Sequence, residues 1–223
     1  MPRRSVGVRL ATVVVGGHSR NIGKTTVVAG LIAGLAEMEW TAMKITLFGH
    51  GVCSANGEPC DCETADHTIA ISEERGASGT DSGRYMAAGA VRSLWVRTRQ
   101  GQLVEAMPRI RKELERAGNI VIESNSILRF LKPDVYLSIL DPAVEDFKDS
   151  ARRYLDRADA ILVPDGLDLR TVPWQGVSTA LYRNLPRITM QAPGYVSRGL
   201  LQFVRDRLGA PAEEAKRTSE WVA

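Results

Sequence analysis

Short apolar runs rich in β-branched residues alternate along the chain with longer segments of helical character. The pattern predicts strands at residues 10–15, 41–48, 67–72, 91–97, 119–123, 134–140, 160–163 and 187–190. It predicts helices at residues 27–36, 80–90, 102–117, 174–184 and 197–208, and one more behind Asp141-Pro142, a cap followed by a first-turn proline. This alternation indicates an α/β fold of three layers, with a mostly parallel sheet between two layers of helices.

The first predicted strand leads into the sequence GGHSRNIGKTT, residues 16–26. A strand, a glycine-flanked loop, the triplet GKT and a helix follow one another as they do in a phosphate-binding loop. Backbone N–H groups and the positive end of the helix dipole then face an anion. Lys24 is expected to reach the outer phosphates and Thr25 to hold Mg²⁺, while Gly23 leaves room for close approach. The predicted nucleotide contacts are Gly17, His18, Ser19, Arg20, Asn21, Ile22, Gly23, Lys24, Thr25 and Thr26.

The spacing of this loop departs from the common G-x-x-x-x-G-K-[ST] pattern. That pattern requires glycine at position 18, which is His18, and counting from Gly17 gives a loop that is one residue longer. A loop of this length resembles the G-x5-GKT loop of dethiobiotin synthetase and cobyrinic acid amide synthase. The alternative is a chance GKT at a helix start, with Gly17 in a plain turn.

Two charged residues lie near the ends of predicted strands, where ligands bind in such a sheet. Glu123 ends the strand IVIE and is expected to lie beside Mg²⁺ and to polarise a nucleophile. Lys44 lies inside the second strand and is expected to contact phosphate or an anionic substrate. The alternatives are a surface carboxylate and a lysine whose stem reaches to the surface.

The segment TDSGRYMAAGA, residues 80–90, resembles the D-S-x-R-x-x-x-A-G-A segment of the molybdopterin-guanine dinucleotide biosynthesis adaptor family, MobB. MKIT and VIESN resemble that family's second strand and its V-E-G strand end, so the resemblance covers roughly residues 10–165. With the loop, it implies the SIMIBI class of P-loop NTPases, whose members often dimerise across the nucleotide face. Carried over by position, Asp81, Ser82 and Arg84 become candidate contacts to a substrate, such as a small cofactor precursor, or to a partner. The alternative is a capped helix start with a solvated arginine.

The chain also departs from the adaptor family. That family has a shorter phosphate loop, a histidine-rich stretch after its second strand, and glycine after the glutamate, where this chain has Ser124. These departures leave the substrate open.

All three cysteines, Cys53, Cys60 and Cys62, lie with His67 in or next to the polar loop 49–66. Three thiolates and one imidazole suit tetrahedral Zn²⁺ or another thiophilic metal. The C-x6-C-x-C spacing is not that of a standard zinc finger, and the alternative is a loop with free thiols.

Composition narrows the setting. The 223 residues carry a net charge of +3, without a dense Lys/Arg block that would indicate nucleic-acid binding. They contain no apolar run near the ~20 residues that span a membrane, and we expect no secretory signal. The odd cysteine count favours a reducing compartment, so we expect a cytoplasmic protein. We expect one P-loop NTPase domain over residues 10–210, with a flexible N-terminus (1–9) and a frayed C-terminus (211–223).

Three functions follow as alternatives. The first is Mg²⁺-dependent binding and slow hydrolysis of GTP or ATP by a homodimer in cofactor biosynthesis. The N-K-x-D guanine motif is absent, so Asp165 is the candidate base contact and slightly favours GTP. The second is an ATP-dependent synthetase that activates a carboxylate, which loop length and Lys44 favour. The third is a nucleotide-gated metal-delivery protein, which the cysteines favour.

Overall fold

A computed structural model describes residues 10–49, 69–170 and 172–209. The strands are β1 (Thr12–Gly17), β2 (Thr41–Phe48), β3 (Ile69–Glu73), β4 (Arg92–Arg99), β5 (Ile120–Glu123), β6 (Val135–Ile139), β7 (Ala160–Pro164) and β8 (Arg187–Met190). The helices are α1 (Lys24–Gly34), α2 (Asp81–Ala87), α3 (Leu103–Arg116), α4 (Asp149–Arg152) and α5 (Arg198–Leu208). The three-layer α/β prediction is confirmed.

Within the described residues the strands form one sheet in the order β3-β4-β2-β5-β1-β6-β7-β8. Each neighbouring pair is parallel except β3 and β4, which are antiparallel. β1 lies between β5 and β6, so the loop that leaves its C-terminal end emerges above the middle of the sheet. This position places the loop next to the ends of β5 and β2 as well.

The central strands are buried on both faces, which explains their continuous apolar sequences. Val13 and Val15 of β1 belong to an apolar cluster with α1 and α5, whereas Val14 points to the opposite cluster under α3. A third cluster around Trp174 and Tyr182 covers β7. Alternation of side chains along β1 therefore ties the phosphate-loop strand into two core layers at once.

Two predicted helices are not observed. Residues 174–184 form turns and a single 3-10 turn, Thr179–Leu181, because Gly176 adopts a positive φ of 67° and Ser178 caps the short turn. Behind Asp141 the carboxylate accepts from the N–H of Ala143, but α4 begins only at Asp149. Between them, the carbonyl and carboxylate of Asp146 and the N–H of Lys148 bond to the phosphate loop.

The remaining element boundaries agree closely with the sequence prediction. Thr80 caps α2 as expected, since its hydroxyl accepts from the N–H of Gly83 at 3.0 Å. The termini 1–9 and 211–223 and the cysteine-bearing loop fall almost wholly outside the described residues. None of the described helices is long and apolar enough to cross a membrane.

Candidate phosphate-binding site

The loop from β1 to α1 occupies residues 18–23 and ends in a glycine with a left-handed backbone. Gly23 has φ of +91° and is the N-cap residue of α1, and a Cβ there would lie 2.7 Å from the ring of Tyr195. In the described chain no side chain caps α1, whereas Thr80 caps α2 and Ser197 caps α5. The first-turn N–H groups of a helix lack intrahelical acceptors, so this end of α1 presents donors to an anion.

Asn125 holds the start of the loop. Its side-chain carbonyl accepts from the N–H of Gly17 at 2.9 Å, and its amide donates to the carbonyl of Gly17 at 2.8 Å. A Cβ on Gly16 would lie 2.1 Å from the same Asn125 oxygen, so only glycine allows this approach. The residue after IVIES therefore fixes the backbone where strand becomes loop.

His18 faces the interior rather than the mouth of the loop. Its side chain is 0% exposed; Nδ1 lies 2.7 Å from the carbonyl of Asp146 and Nε2 accepts from the N–H of Asp141 at 3.0 Å. The ring also contacts Phe147 and Trp174. Burial lowers the pKa of His18 below its usual 6.5. A neutral imidazole that donates from Nδ1 satisfies both contacts and braces the loop from below.

The segment that follows β6 makes further bonds to the same loop. Ser19 donates its hydroxyl to the carboxylate of Asp146 at 2.7 Å, and the N–H of Lys148 donates to the carbonyl of His18 at 2.8 Å. Ile22 is buried, while Arg20 and Asn21 are exposed at the tip. The loop is thus anchored at both ends, with one cation exposed between the anchors.

Lys24 lies at the start of α1, and its ammonium donates to the carbonyl of Ser19 across the loop. Burial is the main cause that lowers its pKa from 10.5 to about 8. A lysine whose charge is only partly solvated favours an anion that replaces the missing water. This is the environment expected of a phosphate-binding lysine.

Glu123 is the centre of the polar contacts beyond the loop. Its Oε2 accepts from the hydroxyl of Thr25 at 2.8 Å and from the hydroxyl of Tyr85, and its Oε1 accepts from Lys44 at 3.2 Å. β5 lies between β1 and β2, and Glu123 is level with Lys44 in the strand register. Lys44 also pairs with Asp81 at the start of α2. Residues that are far apart in sequence are therefore in direct contact here.

The donor set suits Mg²⁺. The hydroxyl of Thr25 and the carboxylate of Glu123 are hard oxygen ligands already within hydrogen-bond distance of each other. Mg²⁺ takes few protein ligands and completes its shell with water and phosphate oxygens. These two side chains would hold the ion beside the phosphates.

The candidate substrate residues on α2 divide into two kinds. Asp81 and Arg84 have side chains 41% and 46% exposed, and Arg84 donates to the hydroxyl of Thr26 on α1 at 3.0 Å. Ser82 is buried and donates to Glu74 at 3.1 Å, so its side chain faces away from solvent. The structure brings Asp81 and Arg84 to the phosphate loop.

The candidate base contact lies in an exposed turn. Asp165 follows β7, and its carboxylate accepts from the N–H of the next residue, Gly166, at 3.0 Å. Among the described residues its hydrogen bonds are to Gly166 and Met190 and not to the phosphate loop, so its role stays a prediction.

Zinc ligands cannot be placed, because Cys53, Cys60, Cys62 and His67 lie outside the described residues. Among residues 10–49, 69–170 and 172–209, no group of three or more His, Cys, Asp and Glu side chains could hold a metal ion.

Sequence reasoning missed three contributors to the site: Tyr85, Asn125 and Asp146. Tyr85 follows Asp81 by four residues, so helical spacing alone places both side chains on one face of α2. Asn125 comes two residues after Glu123, within reach of β1. Asp146 gave no local signal, because its contacts depend on the unpredicted path of residues 143–148.

A central parallel strand, a glycine-flanked loop, lysine and threonine at the helix start, and a carboxylate on the adjacent strand define the P-loop NTPase fold. No protein-family profile matches the sequence, and no curated protein matches it.

The solved structures to which the chain is slightly similar include two HypB proteins and one LpxK. HypB from Helicobacter pylori in complex with nickel has a TM-score of 0.46 and 13% identity, and the alignment covers 93% of this chain and 88% of that chain. Hydrogenase maturation factor HypB from Archaeoglobus fulgidus has a TM-score of 0.49 and 14% identity, over 89% of this chain and 90% of that chain. LpxK from Aquifex aeolicus in complex with ATP has a TM-score of 0.42 and 14% identity, and the alignment covers 82% of this chain and 54% of that chain. Similarity this slight does not extend to function.

Proposed function

We propose that this protein binds a nucleoside triphosphate with Mg²⁺ at residues 17–26 and hydrolyses it slowly. The observation that carries the proposal is the contact between Thr25 and Glu123 directly beside the uncapped N-terminus of α1. A hydroxyl and a carboxylate that meet at the end of a phosphate loop form a site for a divalent cation and a polyphosphate together.

Each side chain of the loop has a distinct part in this proposal. The first-turn N–H groups of α1 receive the phosphate oxygens, and Lys24 exchanges its bond to Ser19 for a bond to the outer phosphates. Mg²⁺, when bound, neutralises charge that develops on the phosphates. Glu123 orients the attacking water from the adjacent strand, while Lys44 balances the carboxylate charge.

Hydrolysis is proposed to be slow because the cation that stabilises the transition state must come from an exposed position at the loop tip. Arg20 is the exposed cation of the loop tip, and it is suited to act on its own nucleotide or on that of a second copy in a homodimer. The base is GTP's guanine or ATP's adenine, with Asp165 as the proposed contact.

The resemblance to the molybdopterin-guanine dinucleotide adaptor supports a role in cofactor biosynthesis in the cytoplasm. Asp81 and Arg84 are proposed to contact the cofactor precursor or partner, since both are exposed beside the phosphate loop. Ser82 supports them through the helix start rather than by direct contact.

A second candidate is an ATP-dependent synthetase that activates a carboxylate by phosphate transfer. Lys44 favours it, because an ammonium that pairs with the carboxylates of Asp81 and Glu123 can pair with the carboxylate of a substrate in place of one of them. Nucleotide-gated delivery of a metal such as Zn²⁺ stays a proposal on the cysteine sequence alone.

Calorimetric titration tests the proposal. ATP and GTP are titrated, with and without Mg²⁺, into the wild type, Lys24→Ala and the matched surface variant Lys132→Ala. We expect binding to the wild type and to Lys132→Ala, with a loss of at least tenfold in Lys24→Ala. Equal binding to Lys24→Ala, or no binding to any form, would contradict a phosphate loop at residues 17–26.

The hydrolase and the synthetase can be distinguished by their products. The hydrolase releases inorganic phosphate from nucleotide alone, at a rate that requires Glu123. A synthetase consumes ATP in proportion to an added small acid, and ATP consumption that depends on such an acid favours the second candidate.

A further inference from the structure

Tyr85 is fully buried beside the proposed magnesium ligands. Its side chain is 0% exposed, and its hydroxyl donates to Oε2 of Glu123, the same oxygen that accepts from Thr25. Phenylalanine would fill the same apolar space, so packing does not explain the hydroxyl. Its position on the carboxylate oxygen that faces Thr25 indicates a role in the site.

One face of α2 controls both oxygens of Glu123. Asp81 and Tyr85 are four residues apart and therefore lie on the same side of the helix. Tyr85 holds Oε2 directly, while Asp81 holds Lys44, which donates to Oε1 at 3.2 Å. The carboxylate thus has a fixed rotation before any cation arrives.

The start of α2 is itself fixed to the end of β3. The carboxylate of Glu74 accepts from the hydroxyls of Thr80 at 3.0 Å and Ser82 at 3.1 Å. A Cβ on Gly83 would lie 2.5 Å from the backbone nitrogen of Ser78, so the helix start approaches this segment closely. The first turn of α2, which precedes Tyr85, is therefore tied to the segment that follows β3.

We infer that Tyr85 is a positioning residue that holds Oε2 of Glu123 toward Thr25 for a magnesium–nucleotide complex. This role rests on the proposed function. A hydroxyl that donates to Oε2 fixes the carboxylate without adding a charge beside the cation.

The test compares Tyr85→Phe with Tyr182→Phe, a second buried tyrosine in the cluster that covers β7. Calorimetry measures nucleotide affinity in EDTA and then the affinity for Mg²⁺ at saturating nucleotide. Loss of a residue that orients a metal ligand costs about tenfold to a hundredfold in metal affinity. We expect Tyr85→Phe to lose affinity for Mg²⁺ by this factor, while its affinity for nucleotide in EDTA stays within about twofold of that of the wild type. Tyr182→Phe should change neither affinity.

If Tyr85→Phe lost nucleotide affinity in EDTA and Mg²⁺ affinity by equal factors, or lost neither, the positioning role would be overturned. A second readout needs no nucleotide and so separates this role from the proposed function. With ¹³Cζ-labelled tyrosine, the Tyr85 resonance is assigned by its disappearance in Tyr85→Phe. We expect Glu123→Gln to shift this resonance and leave that of Tyr182 in place; a Tyr85 resonance that does not respond contradicts the inference even if the wild type binds nucleotide.

Discussion

The side-chain amide of Asn125 makes two hydrogen bonds to Gly17, accepting from its N–H at 2.9 Å and donating to its carbonyl at 2.8 Å. The side-chain amide of Asn119 also accepts one backbone hydrogen bond and donates another, but to two different residues. It accepts from the N–H of Ala11 at 2.8 Å and donates to the carbonyl of Met38 at 2.6 Å. The chain therefore contains a matched pair of asparagines, one under the phosphate loop and one at the opposite end of β1.

Asn125→Asp is predicted to weaken nucleotide binding by more than tenfold. The new carboxylate cannot donate to the carbonyl of Gly17, and its charge repels phosphate nearby. Asn119→Asp is the control, because it loses an equivalent bond far from the loop. We expect both variants to lose about 1–3 kcal/mol of unfolding free energy in urea, and only Asn125→Asp to lose affinity by calorimetry. Equal affinities would show that the bond to Gly17 does not shape the site.

His18→Ala is predicted to lower the free energy of unfolding by about 2–4 kcal/mol. It removes a fully buried ring and with it the hydrogen-bond partner of two backbone groups, on Asp141 and Asp146. Urea denaturation at pH 7 measures the loss. His18→Gln retains a donor and an acceptor, and we expect it to lose less. Identical losses in the two variants would mean that the imidazole contributes volume and not hydrogen bonds.

Stability is also predicted to fall as the pH decreases below about 6.5. The pKa of His18 is lowered in the folded protein, so the unfolded chain takes up a proton first and gains stability relative to the folded chain. The wild type should lose up to about 1.4 kcal/mol per pH unit more than His18→Gln between pH 6.5 and 5. Parallel pH profiles of the two proteins would contradict a buried neutral imidazole.

Nucleotide affinity is predicted to decline above pH 8. The pKa of Lys24 is lowered to about 8, so above that pH the free protein holds a neutral amine that must take up a proton before it binds phosphate. Calorimetry between pH 7 and 10 should show a fall of up to about tenfold per pH unit. Lys24→Arg, whose guanidinium stays charged, should give a flat profile; a flat wild-type profile would mean that Lys24 keeps its usual pKa.

Arg20→Ala is predicted to reduce the hydrolysis rate by at least about tenfold, because the variant no longer supplies a positive charge to the transition state. Nucleotide affinity should change by less than about threefold, since Arg20 is exposed at the loop tip. Phosphate release under saturating nucleotide measures the rate. Arg183→Ala, an exposed arginine in the turns before β8, is the control. A rate that survives in Arg20→Ala assigns the cation to another residue.

The sequence predicted those parts of the site that lie close together along the chain. Strand, loop and helix follow one another from β1 to α1. Glu123 follows three apolar residues in β5, a short apolar strand of the kind found in the centre of a sheet. Local rules failed where distant partners decide the conformation. Residues 143–148 follow a cap signal, yet they form no helix. His18 and Ser19, which follow the neighbouring strand β1, bond instead to the carbonyl and carboxylate of Asp146. Likewise, nothing local to Tyr85 reveals that Glu123 lies opposite it.

The bracing of the phosphate loop by His18 and Asn125 has a consequence for ligand capture. A loop held from beneath keeps its shape when empty, so a polyphosphate meets a preorganised cradle and does not have to order the backbone as it binds. Binding then does not carry the entropic cost of ordering the loop, and association of the polyphosphate with the loop needs no slow conformational step. Selection among phosphate-bearing ligands is then expected at the exposed rim of the site, where the side chains of Arg20 and Arg84 lie.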